Sequence, residues 1–333
     1  MFSIWVWSAD TPGTSFAGDP NSKLSDLVTG TAHKPYVQRA LLPLLTRTVL
    51  AALPSDWQTS LRENLIRIPK VRKEMSRLGW EVNFLPEYIV VLLFAYVSLL
   101  CIPVVLRRLW KLAYETDDAL TNLVPILVLF LLVPLFSTGP HYVYDFPAML
   151  FFSMGFVFVL ERRWLYFYPV FVIGCLNKET MIFLMPFYII LFWRKEPGQK
   201  LLLNAVAQFG LFAIVKWIID FSFSQNPGES LEFHLYANLH TVLLGYSWST
   251  LLGVLFAGGL VFYDFPNKPQ PLRHSVFLIL VFGGLIFCFG LVGELRAAYE
   301  VLPLTIFLMF HTIFFSLFRL PFRVMPLPES ANQ

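Results

Sequence analysis

The chain has 333 residues, of which 56% are hydrophobic, 17% aromatic and only 14% charged, with a formal net charge of +3. A soluble domain carries roughly a quarter charged residues, so this composition excludes an ordinary soluble enzyme, gives nucleic-acid binding no support and makes lipid the solvent of most of the chain. One polytopic domain is expected over residues 1–333, because the longest stretch without an apolar run is about residues 54–83.

In chain order, Met1–Trp7 is apolar but cannot span by itself, so residues 1–8 are expected to be the end of a first span whose beginning lies upstream. Residues 9–83 then form an extracytoplasmic loop. Within it, residues 36–53 carry apolar positions on most faces interrupted by Arg39, Pro43 and Arg47, which predicts a helix lying at the membrane interface. The Arg- and Lys-rich stretch Trp57–Arg77 reads as a second interfacial helix beside lipid phosphates.

Residues 84–323 supply the membrane helices, and 324–333 a tail. A crossing needs about 20 apolar residues, which predicts full spans at Phe84–Leu106, Ala119–Ser137, Tyr142–Leu160, Leu201–Phe221, Thr241–Phe262, Ser275–Val292 and Ala297–Phe318. Between Trp164 and Trp193 lie two shorter runs, each about 20 Å long as a helix, separated by Asn177-Lys178-Glu179-Thr180. Basic residues flank the pair on both sides, so it is expected to enter and return as a short-helix hairpin. The cysteines Cys101, Cys175 and Cys288 each lie inside an apolar run and read as packing residues.

The clusters Arg107-Arg108-Lys111, Arg162-Arg163, Arg194-Lys195-Lys200, Lys268-Arg273 and Arg319-Arg323 alternate with the spans so that all fall on one side, expected to be cytoplasmic. The other side collects acids and bases. Lys178 and Glu179 sit in a hairpin too short to leave the bilayer, so they either line a cavity or pair with neighbouring helices. Arg296 and Glu300 have the spacing of an intrahelical ion pair, with Glu294 beside them. His141 and Asp145 are further candidates, whereas Tyr142 and Tyr144 read as interfacial belt residues. The loop before the spans adds Asp10, Asp19, Asp26, His33, Lys34 and Arg39. Four segments delivering acids and bases to one face point to an aqueous site there. The six histidines are scattered and His234 and His240 lack the spacing of a helical zinc pair, and no P-loop, GxGxxG or GxSxG pattern occurs.

The layout resembles the GT-C class of membrane glycosyltransferases, in which an acidic residue follows a first span and a large outer loop carries interfacial helices. Asp10 in Trp7-Ser8-Ala9-Asp10 matches that acidic position, with Asp19 in Gly18-Asp19-Pro20 second. The run from Pro35 to Pro43 is similar to the outer-loop helix, and Asn177-Lys178-Glu179-Thr180 to the short-helix turn, of bacterial relatives. The resemblance implies an all-α polytopic bundle in the inner membrane that transfers a sugar from a polyprenyl-phosphate carrier to an extracytoplasmic acceptor. It needs no cofactor and no metal, its partners being membrane lipids and the lipid-linked donor. Asp10 or Asp19 would be the catalytic base, while Lys34, Arg39, Lys178 and Arg296 would hold the phosphate. His141, Asp145, Asn177, Glu179, Glu294 and Glu300 would support them. Two other readings stand beside it: a transporter or lipid flippase, from the Lys178–Glu179 pair and the prolines Pro103, Pro125, Pro169 and Pro186, and a non-catalytic subunit packing its 34 phenylalanines against membrane protein partners.

Overall fold

The computed structural model describes residues 21–138, 142–292 and 298–326. Over these residues the protein is all-α, and the one strand pairing among them joins β1 (Tyr114–Glu115) to β2 (Arg323–Val324), antiparallel with Tyr114 opposite Val324. Asp10, Asp19, His141, Glu294 and Arg296, and the expected end of a first span at residues 1–8, lie outside the described residues.

A surface layer comes first: α1 (Leu24–Thr29), α2 (Leu41–Ala51), α3 (Ser55–Ile66) and α4 (Pro69–Leu78). The helix expected within residues 36–53 is thus α2, preceded by a 3-10 turn at Tyr36–Gln38, and Trp57–Arg77 divides into α3 and α4. Pro69 at the first position of α4 is the break, since a proline ends one helix and starts the next.

Among the described residues, three helices are long and apolar enough to cross a membrane: the stretch Val82–Ala113, which contains α5 (Leu85–Ala113), then α10 (Gly198–Ser222) and α13 (Gln270–Phe289). In α5 the buried positions Val91, Ala95, Leu99, Ile102 and Leu106 form one stripe, yet the opposite face exposes Leu93, Tyr96, Val97, Leu100 and Val104. In α10 only Leu201, Gln208, Val215 and Ile219 are buried, again a single stripe. A helix apolar all round but buried on one stripe has its other face in lipid.

Further apolar helices complete the bundle. They are α6 (Asp118–Thr138), α7 (Asp145–Leu160), α8 (Trp164–Asn177), α9 (Leu184–Phe192) preceded by the 3-10 turn Glu179–Phe183, and α14 (Leu302–Phe310) continued by a π-helical turn over His311–Leu317. The pair α8 and α9 is the expected hairpin. The helix α7, at 16 residues, is about 24 Å long and falls short of the bilayer core by helix alone. It is the hub of the bundle, packed on α5, α8 and α9, and only Phe151, Met154 and Phe158 along it are not fully buried.

One expected span is broken. The apolar run Thr241–Phe262 is no single helix: α11 (Leu235–His240) with its π-helical continuation to Gly245 meets α12 (Trp248–Phe262) at 105°. Ser247 starts the new helix by accepting the Thr250 N–H at 3.2 Å, and the Tyr246 hydroxyl anchors the corner on the Val292 carbonyl at 3.0 Å. Capping chemistry therefore interrupts a run that hydropathy reads as continuous.

The five basic clusters do meet at one end. Arg108 grips Glu161 through two bonds of 2.5 and 2.6 Å, Arg162 lies 3.7 Å from Glu196, Lys195 donates to Gln270 at 2.7 Å and Arg323 faces Glu115 at 3.8 Å. The carboxyl ends of α5, α7, α9, α12 and the α14 unit point there, so Lys111, Arg162, Arg194 and Arg319 sit where those helix dipoles are negative, whereas Lys200 and Arg273 stand in the first turns of α10 and α13. Four of those ends are followed by a residue in the left-handed backbone region: Arg162 (φ 56°), Arg194 (φ 62°), Asp264 (φ 54°) and Arg319 (φ 53°). Such residues stop helices.

Candidate functional site

At the opposite end, the chain between α1 and α2 is clamped to the loop after α10. The Lys34 N–H donates to the Pro227 carbonyl at 2.9 Å, the Lys34 ammonium to the Ser224 carbonyl at 3.0 Å, and the Asn226 amide to the Gly30 and Ala32 carbonyls at 3.0 and 2.9 Å. Gly228 makes the return turn at φ +88°, and a Cβ there would lie 2.7 Å from the Lys34 carbonyl oxygen, so only glycine fits. Beside the clamp, Gln38 donates to Asp220 and Ser230, both at 2.9 Å, and Lys216 pairs with the same Asp220 at 3.1 Å.

The hairpin turn between α8 and α9 meets this clamp. Gly174 lets Met181 fold back over α8, since a Cβ on it would stand 2.6 Å from the Met181 methyl. The turn then delivers four consecutive polar residues to three places. The Asn177 amide donates to the Tyr144 carbonyl at 3.1 Å. The Lys178 ammonium lies 2.7 Å from Glu300 Oε1, and the Thr180 hydroxyl donates to that same oxygen at 2.7 Å. Glu179 pairs with Arg39, whose guanidinium also lies 5.6 Å from the centre of the Tyr144 ring, within cation–π range. Tyr36 and Tyr142 stack at 5.5 Å between centroids, and Tyr142 and Tyr144 at 5.1 Å.

Of the expected site residues, the structure thus joins Arg39 to Glu179 and Lys178 to Glu300 in one region, with Asn177 beside them. Both residues of the hairpin are ion-paired, the second of the two readings left open for them; Glu179 also borders a small cleft with Gln38 and Lys216. Glu300 directs its carboxylate to Lys178 and Thr180 across the bundle. Lys34 belongs to the clamp. Asp145, 2% exposed, accepts the Tyr142 N–H at 2.8 Å and so closes the first turn of α7 from within, in the manner of a capping box. Tyr142 and Tyr144, expected in the interfacial belt, are buried instead because their rings stack between Tyr36 and Arg39.

The region retains unused hydrogen-bonding capacity. Glu300 Oε2, Asn177 Oδ1 and Arg39 Nε are buried with no hydrogen-bond partner, and each such atom costs about 1–3 kcal/mol if left so. Lys178 has three N–H donors. Two acceptors and a set of cationic donors, all braced by carboxylates from other segments, suit a ligand with hydroxyls and an anion.

Sequence reasoning missed Gln38, Asp220 and Thr180, whose only local signal is the Lys216–Asp220 helical spacing. It also missed a polar latch at the basic end. There the Lys268 ammonium, on a residue 2% exposed, donates to the Leu308 carbonyl and the Thr312 hydroxyl, both at 2.7 Å. Burial pushes its pKa down to about 8, partly opposed by the Asp264 carboxylate. The Ser316 hydroxyl, donating at 2.8 Å, holds Asp264 below the usual carboxylate range, helped by Asn267 and His311. His311 in turn contacts the Tyr114 hydroxyl at 3.1 Å, tying the α14 unit to β1. Among the described residues, no group of three or more His, Cys, Asp or Glu is placed to hold a metal ion. No protein-family model, curated protein or solved structure matches this chain.

Proposed function

We propose that the protein is a membrane glycosyltransferase of the GT-C class, with about seven spans, that transfers a sugar from a polyprenyl-phosphate carrier to an extracytoplasmic acceptor. The observation that carries the reading is the group Arg39–Glu179 and Lys178–Glu300, in which two cations from different segments are held by carboxylates while Glu300 Oε2, Asn177 Oδ1 and Arg39 Nε keep no partner. It lies at the end of the bundle away from the basic clusters, which on the charge rule faces the outside.

In this reaction the acceptor oxygen attacks the anomeric carbon, the bond from that carbon to the phosphate oxygen breaks, and the lipid phosphate leaves with the electron pair. Lys178 and Arg39 stabilise the charge growing on that phosphate, with Lys34 and Arg296 as outer cations. Glu300 and Asn177 accept sugar hydroxyls, and Glu179 orients Arg39. The acceptor's proton passes to Asp10 or Asp19, a general-base contribution of roughly 10²–10⁴-fold.

The test is native mass spectrometry of gently extracted protein, comparing wild type with a Lys178→Ala/Arg296→Ala variant, followed by transfer assays in proteoliposomes. Polyprenyl phosphate bound to wild type and absent from the variant is expected, as is loss of transfer with intact folding in Asp10→Asn. Wild type that carries only bulk phospholipid would overturn the reading.

A further inference from the structure

A separate cleft of about 490 Å³ opens in the surface layer, within the roughly 300–1,000 Å³ span of ligand pockets. Val28, Leu50 and Phe84 give it apolar walls, and Thr46, Arg47 and Glu87 are among its polar groups, with Thr29 and Gln58. Its depth in the membrane follows from its neighbours. Glu87 stands in the first turn of α5, whose outer face is exposed and apolar from Leu93 onward. On α3 the exposed apolar side chains Trp57 and Leu61 stand one turn apart, exposed Ile68 follows in the junction to α4, and α4 exposes Lys70, Arg72 and Lys73. Apolar anchors beside lysines and arginines mark the headgroup layer.

The polar groups of the cleft are unevenly used. Arg47 spends Nε on the Val28 carbonyl at 3.3 Å and Nη2 on the Thr29 carbonyl at 2.7 Å. Those bonds fix its guanidinium and leave the rest of its five N–H donors for an anion. The Thr46 side chain is fully buried and its hydroxyl has no hydrogen-bond partner, and neither has the buried Oε2 of Glu87. The cleft therefore calls for an anion at Arg47, N–H donors at Glu87 and Thr46, and an apolar portion along Val28, Leu50 and Phe84.

We propose that this cleft binds one phospholipid whose headgroup carries a phosphate and a primary amine, with the phosphate on Arg47 and the ammonium on Glu87. A choline headgroup has the same phosphate and positive charge but no N–H to give Glu87 or Thr46, and a glycerol headgroup has donors but no cation. The site is independent of the glycosyltransferase reading, because none of its residues belongs to the Arg39–Lys178 group.

The experiment loads the full-length protein into vesicles of equal phosphatidylethanolamine, phosphatidylcholine and phosphatidylglycerol with matched acyl chains, and counts the lipids retained after detergent extraction by native mass spectrometry. One phosphatidylethanolamine per chain is expected on wild type in preference to the other two. Glu87→Gln should reduce that preference by about tenfold or more, the weight of a hydrogen bond to a charged group, and Arg47→Ala, which takes away the phosphate contact common to all three lipids, should remove the retained lipid altogether, with polyprenyl-phosphate retention unchanged in both. Equal retention of phosphatidylethanolamine and phosphatidylcholine by wild type would overturn the proposal without recourse to any variant. So would an unchanged preference in a monodisperse Glu87→Gln protein.

Discussion

Lys178 Nζ and Glu300 Oε1 lie 2.7 Å apart, at the tip of the α8–α9 hairpin and the approach to α14 respectively, with side chains 12% and 1% exposed. Removing one partner of such a pair leaves an uncompensated charge and costs about 3–5 kcal/mol, whereas replacing both by apolar residues of similar size is close to neutral. Glu300→Leu should therefore destabilise the detergent-solubilised protein strongly, and Lys178→Met/Glu300→Leu should recover most of the loss. A double-mutant cycle by chemical denaturation measures this, and additive effects would contradict the coupling.

Gly228 should tolerate no side chain. Gly228→Ala is expected to cost more than about 1 kcal/mol, since the positive φ is strained for alanine and the new methyl meets the Lys34 carbonyl. Hydrogen exchange should accelerate in residues 30–38 while α7 and α8 keep their protection. Unchanged exchange there would show that the clamp does not hold the segment.

Gln208 is fully buried on the packed stripe of α10, and neither its amide nitrogen nor its oxygen has a hydrogen-bond partner. Gln208→Leu should raise thermal stability, with a gain on the order of 1–3 kcal/mol for removing an unsatisfied buried group. A lower melting temperature would mean that the amide is satisfied by a ligand or water in the native protein.

Lys268 gives a pH dependence whose sign is fixed. Its folded pKa of about 8 lies below the ordinary 10.5, so between those values the unfolded chain binds more protons and stability rises with pH. Melting temperatures should climb through this window in wild type and flatten in Lys268→Met. A profile equally steep in both proteins would assign the dependence elsewhere.

The sequence made legible what periodicity and charge control. The α8–α9 hairpin follows from two short apolar runs around Asn177–Thr180, and the shared end of the basic clusters from their alternation with apolar segments. The corner at Tyr246–Ser247 was hidden because hydropathy averages over a window, although Ser247 ahead of Trp248-Ser249-Thr250 carries a helix-start signal. Partner choice was legible least. Arg296 and Glu300 have the spacing of a helical pair, and Arg296 lies outside the described residues; that Glu300 also meets a lysine delivered by the hairpin follows only from the packing of α9 against α13 and of α13 against α14. The stacked tyrosines were misjudged for a related reason: tyrosine at a helix entrance suits an interface until another segment, here Tyr36 and Arg39, covers it.

The left-handed residues after α7, α9 and the α14 unit are arginines, where glycine would carry no steric penalty and arginine bears one of about 1–2 kcal/mol. On the proposed orientation the same side chains are among the charges that decide which way the helices insert. Stability and topology thus pull in opposite directions at Arg162, Arg194 and Arg319. A chain optimised only for its folded state would put glycine at all three and would weaken its own instructions for entering the membrane the right way round.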